Sequence, residues 1–338
     1  MKMRSLSRLV LPLVVGLGLI GQQALAADDT LNFGIISTES SQNQAPPWKP
    51  FLADMSESLG VEVKPFFATD YAAVIQAMRF DKIDLAWYGN KSAMEAVDRA
   101  NGEIFAQTVP DNGQPGYWSL MIVNKDSPYD SVDEILANAS ELTFGNGDPN
   151  STSGYLVPGY YIFAKNGIDP AQAFKRTMNS SHETNALSVA NKQVDVATFN
   201  TESMARLKIT NPEKAEQLKV IWKSPLIPSD PLVWRKDLPA DLKARMREFF
   251  MGYGETPAQK EKLASLQWSR FEPSDNGQLL PIRQLELFKQ RAQVAANDSL
   301  DADDRQARLA ELDAQLASLD ERLQAREAAQ NTTAMATQ

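Results

Sequence analysis

The stretch Ile83-Asp84-Leu85-Ala86-Trp87-Tyr88-Gly89-Asn90 has a near copy downstream, Val194-Asp195-Val196-Ala197-Thr198-Phe199-Asn200. Each sets an aspartate between apolar residues, continues apolar, and ends on asparagine. Each also follows a segment with helical spacing, residues 71–79 and 185–192. Short apolar runs of this kind read as buried strands. Strands alternating with helices over short connections indicate an α/β architecture with a largely parallel sheet. Two copies of one unit predict two lobes of like construction; chance similarity between two helix–strand units is the competing reading.

The surroundings of each copy extend the pattern. Before the first, residues 31–36 read as a strand, and Pro46-Pro47-Trp48 opens a helix carrying Phe51, Leu52, Met55 and Leu59 until Gly60 stops it. Residues 61–67 alternate as a second strand, and Thr69 or Asp70 can cap the helix 71–79. Apolar strand candidates at 117–124 and 220–224 flank the second copy. They are the predicted crossovers. Lobe 1 then spans 27–120 plus 225–285, with lobe 2, residues 121–224, inserted into it. A chain that crosses twice leaves a hinge and a cleft, and small ligands favour such interfaces. Helices are predicted over 239–253 and 256–266.

Within lobe 2 lies Phe144-Gly145-Asn146-Gly147-Asp148-Pro149-Asn150-Ser151-Thr152-Ser153-Gly154. A strand candidate, 142–144, precedes it, and an apolar aromatic run, 155–164, reads as the following helix. Asn, Ser or Thr at a helix start caps the free backbone N–H groups. Those groups and the positive helix end also make an anion site. The stretch is therefore either an ordinary capped helix or a pocket for a tetrahedral oxyanion. It is not a P-loop, because no Gly-Lys-Ser/Thr follows the glycines.

Composition narrows the function. Lys2, Arg4 and Arg8 lead into an apolar run, 9–21, and then Ala24-Leu25-Ala26. This is the pattern of a secretory signal, residues 1–26, cleaved after Ala26; the run is short for a membrane span, which needs about 18 apolar residues. Its removal takes the formal charge from −9 to −12. So acidic an exported chain is a poor partner for nucleic acid or an anionic membrane. The absence of cysteine excludes disulfides, thiolate chemistry and Cys–zinc sites. With His182 as the single histidine, the usual zinc and copper sites cannot be built, so no metal and no cofactor is expected. His182 lies among polar residues and reads as exposed or cleft-facing. A Ser151–His182 pair with Asp195 or Asp230 has the residue types of a hydrolytic triad, but Ser151 is not in a G-x-S-x-G elbow.

The tail changes character. Leu309, Leu312, Leu316, Leu319 and Leu323 are spaced three, four, three, four. Such a stripe packs against the chain's own lobe or against a helix of a second copy, giving a homodimer. A C-terminal helical extension is predicted over 286–330, with a disordered polar tail from Asn331 to the end, 331–338.

Several segments together carry a family resemblance. They are residues 32–40, 83–90 and 92–102 in lobe 1, Gly116-Tyr117-Trp118-Ser119 at the crossover, and then 144–154, His182-Glu183-Thr184-Asn185-Ala186 and 222–228. In this order they resemble the periplasmic phosphonate-binding protein of an ABC-type phosphonate importer, from about residue 31 to 287. The resemblance implies an α/β, two-lobed type II periplasmic binding fold with the C-terminal helical extension added. It implies that the chain is no enzyme, captures an organophosphonate such as 2-aminoethylphosphonate, and passes it to an ABC permease in the inner membrane. It implies that Ser151, Thr152, Tyr117 and His182 hold the anion, that Glu202 and Asp230 face a substrate ammonium, and that Tyr71 lines the cleft. The residue chemistry agrees: hydroxyls and helix N–H groups suit an oxyanion, a charged His182 can donate to a dianion, and carboxylates suit an amine. A receptor for phosphite, phosphate or a sulfonate stays open, as does a secreted phosphoester hydrolase using Ser151 and His182.

Overall fold

A computed structural model describes residues 30–336; the predicted signal segment lies outside them. The chain runs through β1 (Thr30–Ile35), β2 (Glu62–Phe67), β3 (Leu85–Trp87) and β4 (Gly102–Pro110), then a short β5 (Gly116–Tyr117). Next come β6 (Ser119–Asn124), β7 (Thr143–Gly147), β8 (Arg176–Ser180), β9 (Val196–Asn200) and β10 (Leu218–Lys223). It returns through β11 (Ile227–Pro228), β12 (Pro231–Arg235) and β13 (Trp268–Pro273).

These strands make two main sheets, ordered β13-β4-β12-β3-β1-β2 and β10-β6-β9-β7-β8. Each has a parallel three-strand core, β2-β1-β3 and β8-β7-β9, flanked by an antiparallel strand that arrives after a crossover. This is the two-lobed type II α/β arrangement. We take the passages from β4 to β6 and from β10 to β12 as the lobe boundaries; β5 and β11 pair with each other between them.

The repeated aspartates have one job in both lobes. Asp84 Oδ2 accepts from the Asn32 N–H at 2.8 Å, just before β1 and β3 begin to pair at Phe33 and Leu85. Asp195 Oδ2 accepts from the Thr143 N–H at 2.7 Å, where β7 enters the other. Each aspartate's own N–H returns a bond to the same residue's carbonyl, at 2.9 and 3.2 Å. The aspartate therefore fixes the register of two adjacent parallel strands. The following strand then pairs Phe33 with Leu85 in one lobe and Phe144 with Val196 in the other.

Helices cover both faces of each sheet, so the central strands are apolar throughout. In β6, Leu120 and Ile122 pack with Val189 and Phe199 on one face, while Met121 and Val123 pack with Phe144 and Phe163 on the other. Successive strand residues point to opposite faces. Lobe 1 is built around Phe51, whose ring meets Phe33, Trp48, Phe249, Phe250, Tyr253 and Phe271.

Several local expectations shift. The helix placed at Pro46 begins at Ser41 and holds Pro46, Pro47 and Pro50 within it, ending at Gly60 in the left-handed conformation that glycine tolerates (φ 65°). At the far end, the helices Leu280–Ala295 and Ala302–Ala336 pack on each other. Leu312, Leu316 and Leu319 are buried in that contact, and Leu309 and Leu323 are half-buried. The leucine stripe is thus occupied within the chain, which corrects the expectation that it meets a second copy. The last helix also continues to Ala336, past Asn331 where the sequence places the start of disorder. Among the described residues no helix is long and apolar enough to cross a membrane.

Leu316→Ala is expected to lower the stability of the helix pair by about 2–3 kcal/mol, the range for emptying a buried leucine site. Chemical denaturation reads the loss. Light scattering should give one mass for both proteins; a lower mass for the variant would mean that the stripe joins two copies.

Candidate functional site

Helices that follow parallel strands begin at the strands' carboxyl ends, and ligands bind there. Six such starts meet in the cleft between the lobes. Lobe 1 contributes the helices Ser41–Leu59, Tyr71–Arg79 and Asn90–Arg99. Lobe 2 contributes the helical turns from Thr152 and the helices His182–Ala190 and Thr201–Thr210. The cleft encloses about 750 Å³ of space free of atoms, its open mouth included. All seven residues assigned by resemblance, Tyr71, Tyr117, Ser151, Thr152, His182, Glu202 and Asp230, line it.

One end is ready for an anion. Ser151 caps the lobe 2 turns, its Oγ accepting from the Gly154 N–H at 2.9 Å. Helical structure starts at Thr152, not at Tyr155 as the sequence indicates. Its first turns are wide: the Leu156 N–H bonds the Ser151 carbonyl, five residues back, at 3.1 Å. Wide turns of this kind are rare and recur at functional sites. Gly147 and Gly154 make the loop possible. A Cβ on Gly147 would lie 2.5 Å from the Gly154 backbone, so the strand end and the helix start touch with no side chain between them. Thr152 Oγ1 reaches across the cleft and accepts from the Lys91 N–H at 2.8 Å.

His182 lines the cleft, one of its two sequence readings, and is not exposed at the surface. It is buried, 3% exposed. Its Nε2 lies 3.1 Å from Asn200 Nδ2 and 3.4 Å from the hydroxyls of both Ser151 and Ser153. Burial lowers its pKa to about 4. The imidazole is therefore neutral, with Nε2 accepting from the Asn200 amide, while Nδ1 has no partner. Ser153 and Asn200 belong to this cluster, and the sequence analysis did not assign them. The signal was present: Ser153 sits in the quoted stretch and Asn200 ends the repeat. Asn200 also caps its own helix, Oδ1 accepting from the Ser203 N–H at 2.6 Å.

The other end is acidic. Asp230 is 5% exposed. Burial and the nearby Glu202 raise its pKa well above the carboxylate range, against the Tyr117 hydrogen bond, which lowers it. Burial raises Glu202 as well. Tyr117 donates its hydroxyl to Asp230 Oδ1 at 2.9 Å. Tyr71 touches both ends. Its phenol is held protonated by burial and by Asp148 and Asp230, while the Ser151 hydroxyl acts in the opposite sense. Trp48, Trp87 and Trp268 wall the lobe 1 side, with ring centroids 5.3–5.8 Å apart.

No triad forms. Asp195 is committed to the Thr143 N–H and hydroxyl, each at 2.7 Å, and Asp230 to Tyr117. His182 thus lacks a carboxylate to orient it, and the hydrolase alternative loses its third member. Among the described residues no group of three His, Asp or Glu is placed to hold a metal ion.

Comparison with known proteins gives one family. Residues 33–279 match the periplasmic substrate-binding proteins of phosphonate ABC transporters. A phosphonates-binding periplasmic protein of Escherichia coli (strain K12) is 61% identical over 293 residues, which is 87% of this chain and 86% of that protein. The crystal structure of a binding protein component of an ABC phosphonate transporter from Pseudomonas aeruginosa matches with a TM-score of 0.87 at 68% identity, covering 88% of this chain and 99% of that one. A Prochlorococcus marinus (MIT 9301) protein, solved with methylphosphonate, shares the fold with a TM-score of 0.67 at 23% identity, covering 76% of this chain and 96% of that one.

Because His182 is the only histidine, its ring gives a single set of imidazole NMR signals. In the empty protein these should titrate near pH 4. A dianion beside the ring stabilises its charged form, so saturation with methylphosphonate should move the midpoint up. The sign for stability follows. The unfolded chain takes the proton near pH 6.5 and the folded one near 4, so the His182 contribution is intact above 6.5 and lost as pH falls toward 4. A midpoint near 6.5 in the empty protein would show that the ring is solvated.

Proposed function

The chain belongs to the periplasmic substrate-binding proteins of phosphonate ABC transporters, and on that premise we propose that its ligand is an aminoalkylphosphonate, with 2-aminoethylphosphonate the best fit. The family fixes the coarser function: this is a receptor that works in the periplasm as the phosphonate-binding component of an ABC importer, and not an enzyme. The choice of an amine-bearing ligand rests on one observation. Asp230, buried, and Glu202, half-buried, line the same cleft, and each is pushed toward its protonated form. Two such carboxylates with raised pKa values invite a cation. The cleft's one lining cation, Arg206, is already paired with Glu39.

In this reading the phosphonate sits at the Ser151–Thr152–Ser153 turn and takes backbone N–H groups and hydroxyls as donors. His182 becomes a donor when the dianion arrives. The ammonium lies against Glu202 and Asp230, with Tyr117 orienting the latter. Closure of the lobes removes water, which strengthens each charged contact. The ligand shifts the lobes toward the closed form only by its greater affinity for that form. The methylphosphonate bound by the Prochlorococcus protein has no amine, so the carboxylate pair is the feature that separates the two ligand types.

Titration calorimetry with 2-aminoethylphosphonate and methylphosphonate tests the assignment. Glu202→Gln and Asp230→Asn should each weaken the amine-bearing ligand by more than ~1.5 kcal/mol, the scale of one charged hydrogen bond. Methylphosphonate affinity should hold or rise slightly, so specificity erodes while anion binding stays. Equal losses for both ligands would assign the carboxylates to closure or folding instead. Ser151→Ala with Thr152→Ala should weaken both ligands by roughly two orders of magnitude, from two charge-assisted bonds at about 1.5–3 kcal/mol each. Proton linkage gives an independent check. The ammonium lowers the two raised carboxylate pKa values, so 2-aminoethylphosphonate should release more protons on binding than methylphosphonate and gain relative affinity as pH rises through their range. Measuring heats in buffers of different ionisation enthalpy reads that difference. No difference between the ligands would remove the ammonium from this place.

A further inference from the structure

Two of the three lobe 1 helices that start at the cleft have no side-chain cap of their own; the third, Tyr71–Arg79, has Asp70, whose Oδ1 accepts from the Ala73 N–H at 2.8 Å. Ser40 precedes the helix Ser41–Leu59 but makes no side-chain cap bond, and that helix has no acidic residue in its first turn. Gly89 precedes Asn90–Arg99 and has no side chain to offer. Lobe 2 supplies what is missing. The Glu183 carboxylate accepts from the Ser40 N–H at 2.8 Å and from Asn43 Nδ2, and the Glu183 N–H donates to the Thr38 carbonyl at 3.2 Å. Asp148 Oδ2 accepts from the Tyr71 N–H, the first of its helix, at 3.2 Å. Thr152 Oγ1 does the same for Lys91.

The prolines in Ser41–Leu59 create a second demand. The Asn43 carbonyl would bond the N–H of residue 47, but Pro47 has none. Arg206 of lobe 2 donates Nη2 to that carbonyl at 3.0 Å and Nε to Glu39 at 3.3 Å. One turn of a lobe 1 helix thus has a spare donor and a spare acceptor, and lobe 2 meets each with an oppositely charged side chain. Neither Glu183 nor Asp148 lines the ligand cleft.

We propose that lobe closure is driven in part by this capping of lobe 1 helices from lobe 2, with Glu183 as its principal residue and Arg206 as its counterpart. Glu183 is then a positioning residue. It raises affinity for every ligand by the same factor and takes no part in choosing among them. Opening the cleft exposes the free helix ends to water and returns Glu183 and Arg206 to solvent. The clasp sits beside the recognition machinery, since Glu183 directly follows His182 in one helix.

The inference rests on the receptor reading for its affinity arm only, and a second arm needs no ligand. The chain lacks cysteine, so Phe80→Cys and Ile209→Cys place one spin label on each lobe at sites that are 63% and 65% exposed. Glu183→Ala in this background should lengthen the mean label distance in the ligand-free or the methylphosphonate-saturated protein. It should weaken 2-aminoethylphosphonate and methylphosphonate alike, by about five- to tenfold, the effect of losing one helix cap, with faster dissociation carrying the change. Glu183→Gln keeps an acceptor and should recover part of both effects. The melting temperature of the ligand-free protein should not move. Loss for one ligand alone, or a melting temperature that falls in step with affinity, overturns the proposal. So does a label distance unchanged in both states. If the unaltered protein binds neither phosphonate, the ligand assignment fails, and the ligand-free distances alone decide the clasp.

Discussion

The free N–H groups at helix starts are the constraint on which this structure depends. Parallel strands send each following helix away from the same sheet edge, so the unsatisfied donors of six helices face one cleft. Something must satisfy them. Within lobe 2, Ser151, Ser181 and Asn200 do so with their own side chains. Within lobe 1, part of the work is left to groups from across the cleft. Donors of one kind thus serve two ends: in the proposed reading those of the lobe 2 turn face the oxyanion, while those of lobe 1 meet groups from across the cleft.

Charge in the cleft is kept low. His182 is neutral because its burial disfavours the imidazolium. Glu202 and Asp230 are pushed toward the protonated form by burial, and Asp230 also by its neighbour. Isolated ions withdrawn from water are costly, and titratable groups escape the cost by shifting pKa. A zwitterionic ligand reverses both tendencies: its anion favours a charged imidazole and its cation favours ionised carboxylates. In the proposed reading the site is thus polarised by what it binds.

Much of this architecture was legible because it is written locally. The Asp84 and Asp195 repeats are visible in sequence because one hydrogen-bonding task, pinning the start of a neighbouring parallel strand, demands one residue at one place. The Gly147 and Gly154 loop was legible as a turn, although the contact that requires both glycines depends on chain segments meeting in space. Not legible were properties set by distant partners. The polar sequence neighbours of His182 leave it exposed or cleft-facing, and only its surroundings, Ser151, Ser153 and Asn200, decide for the cleft. Tyr117 is placed at the anion by resemblance alone, and its hydrogen bond to Asp230, far along the chain, has no signal in the sequence. The leucines from 309 to 323 declare a helix face without declaring its partner, and the partner is the preceding helix. Pro46 and Pro47 read as a helix start because proline is tolerated there. The helix begins earlier, and Arg206 takes up one carbonyl the prolines leave free.

The strand order of lobe 1 also dictates an order of assembly. β12, residues Pro231–Arg235, lies inside its sheet, between β3 and β4. Lobe 2 needs nothing beyond β10, which ends at Lys223. A growing or emerging chain that has reached Lys223 therefore holds every strand of the inserted lobe, while the lobe that comes first in sequence still has a gap near its middle. The N-terminal half must wait, with β3 and β4 unpaired on facing edges, for a strand that arrives more than a hundred residues later. Long-range pairing of this kind is slow and leaves sticky edges exposed. A chain so wired gains from being kept unfolded until all of it is present.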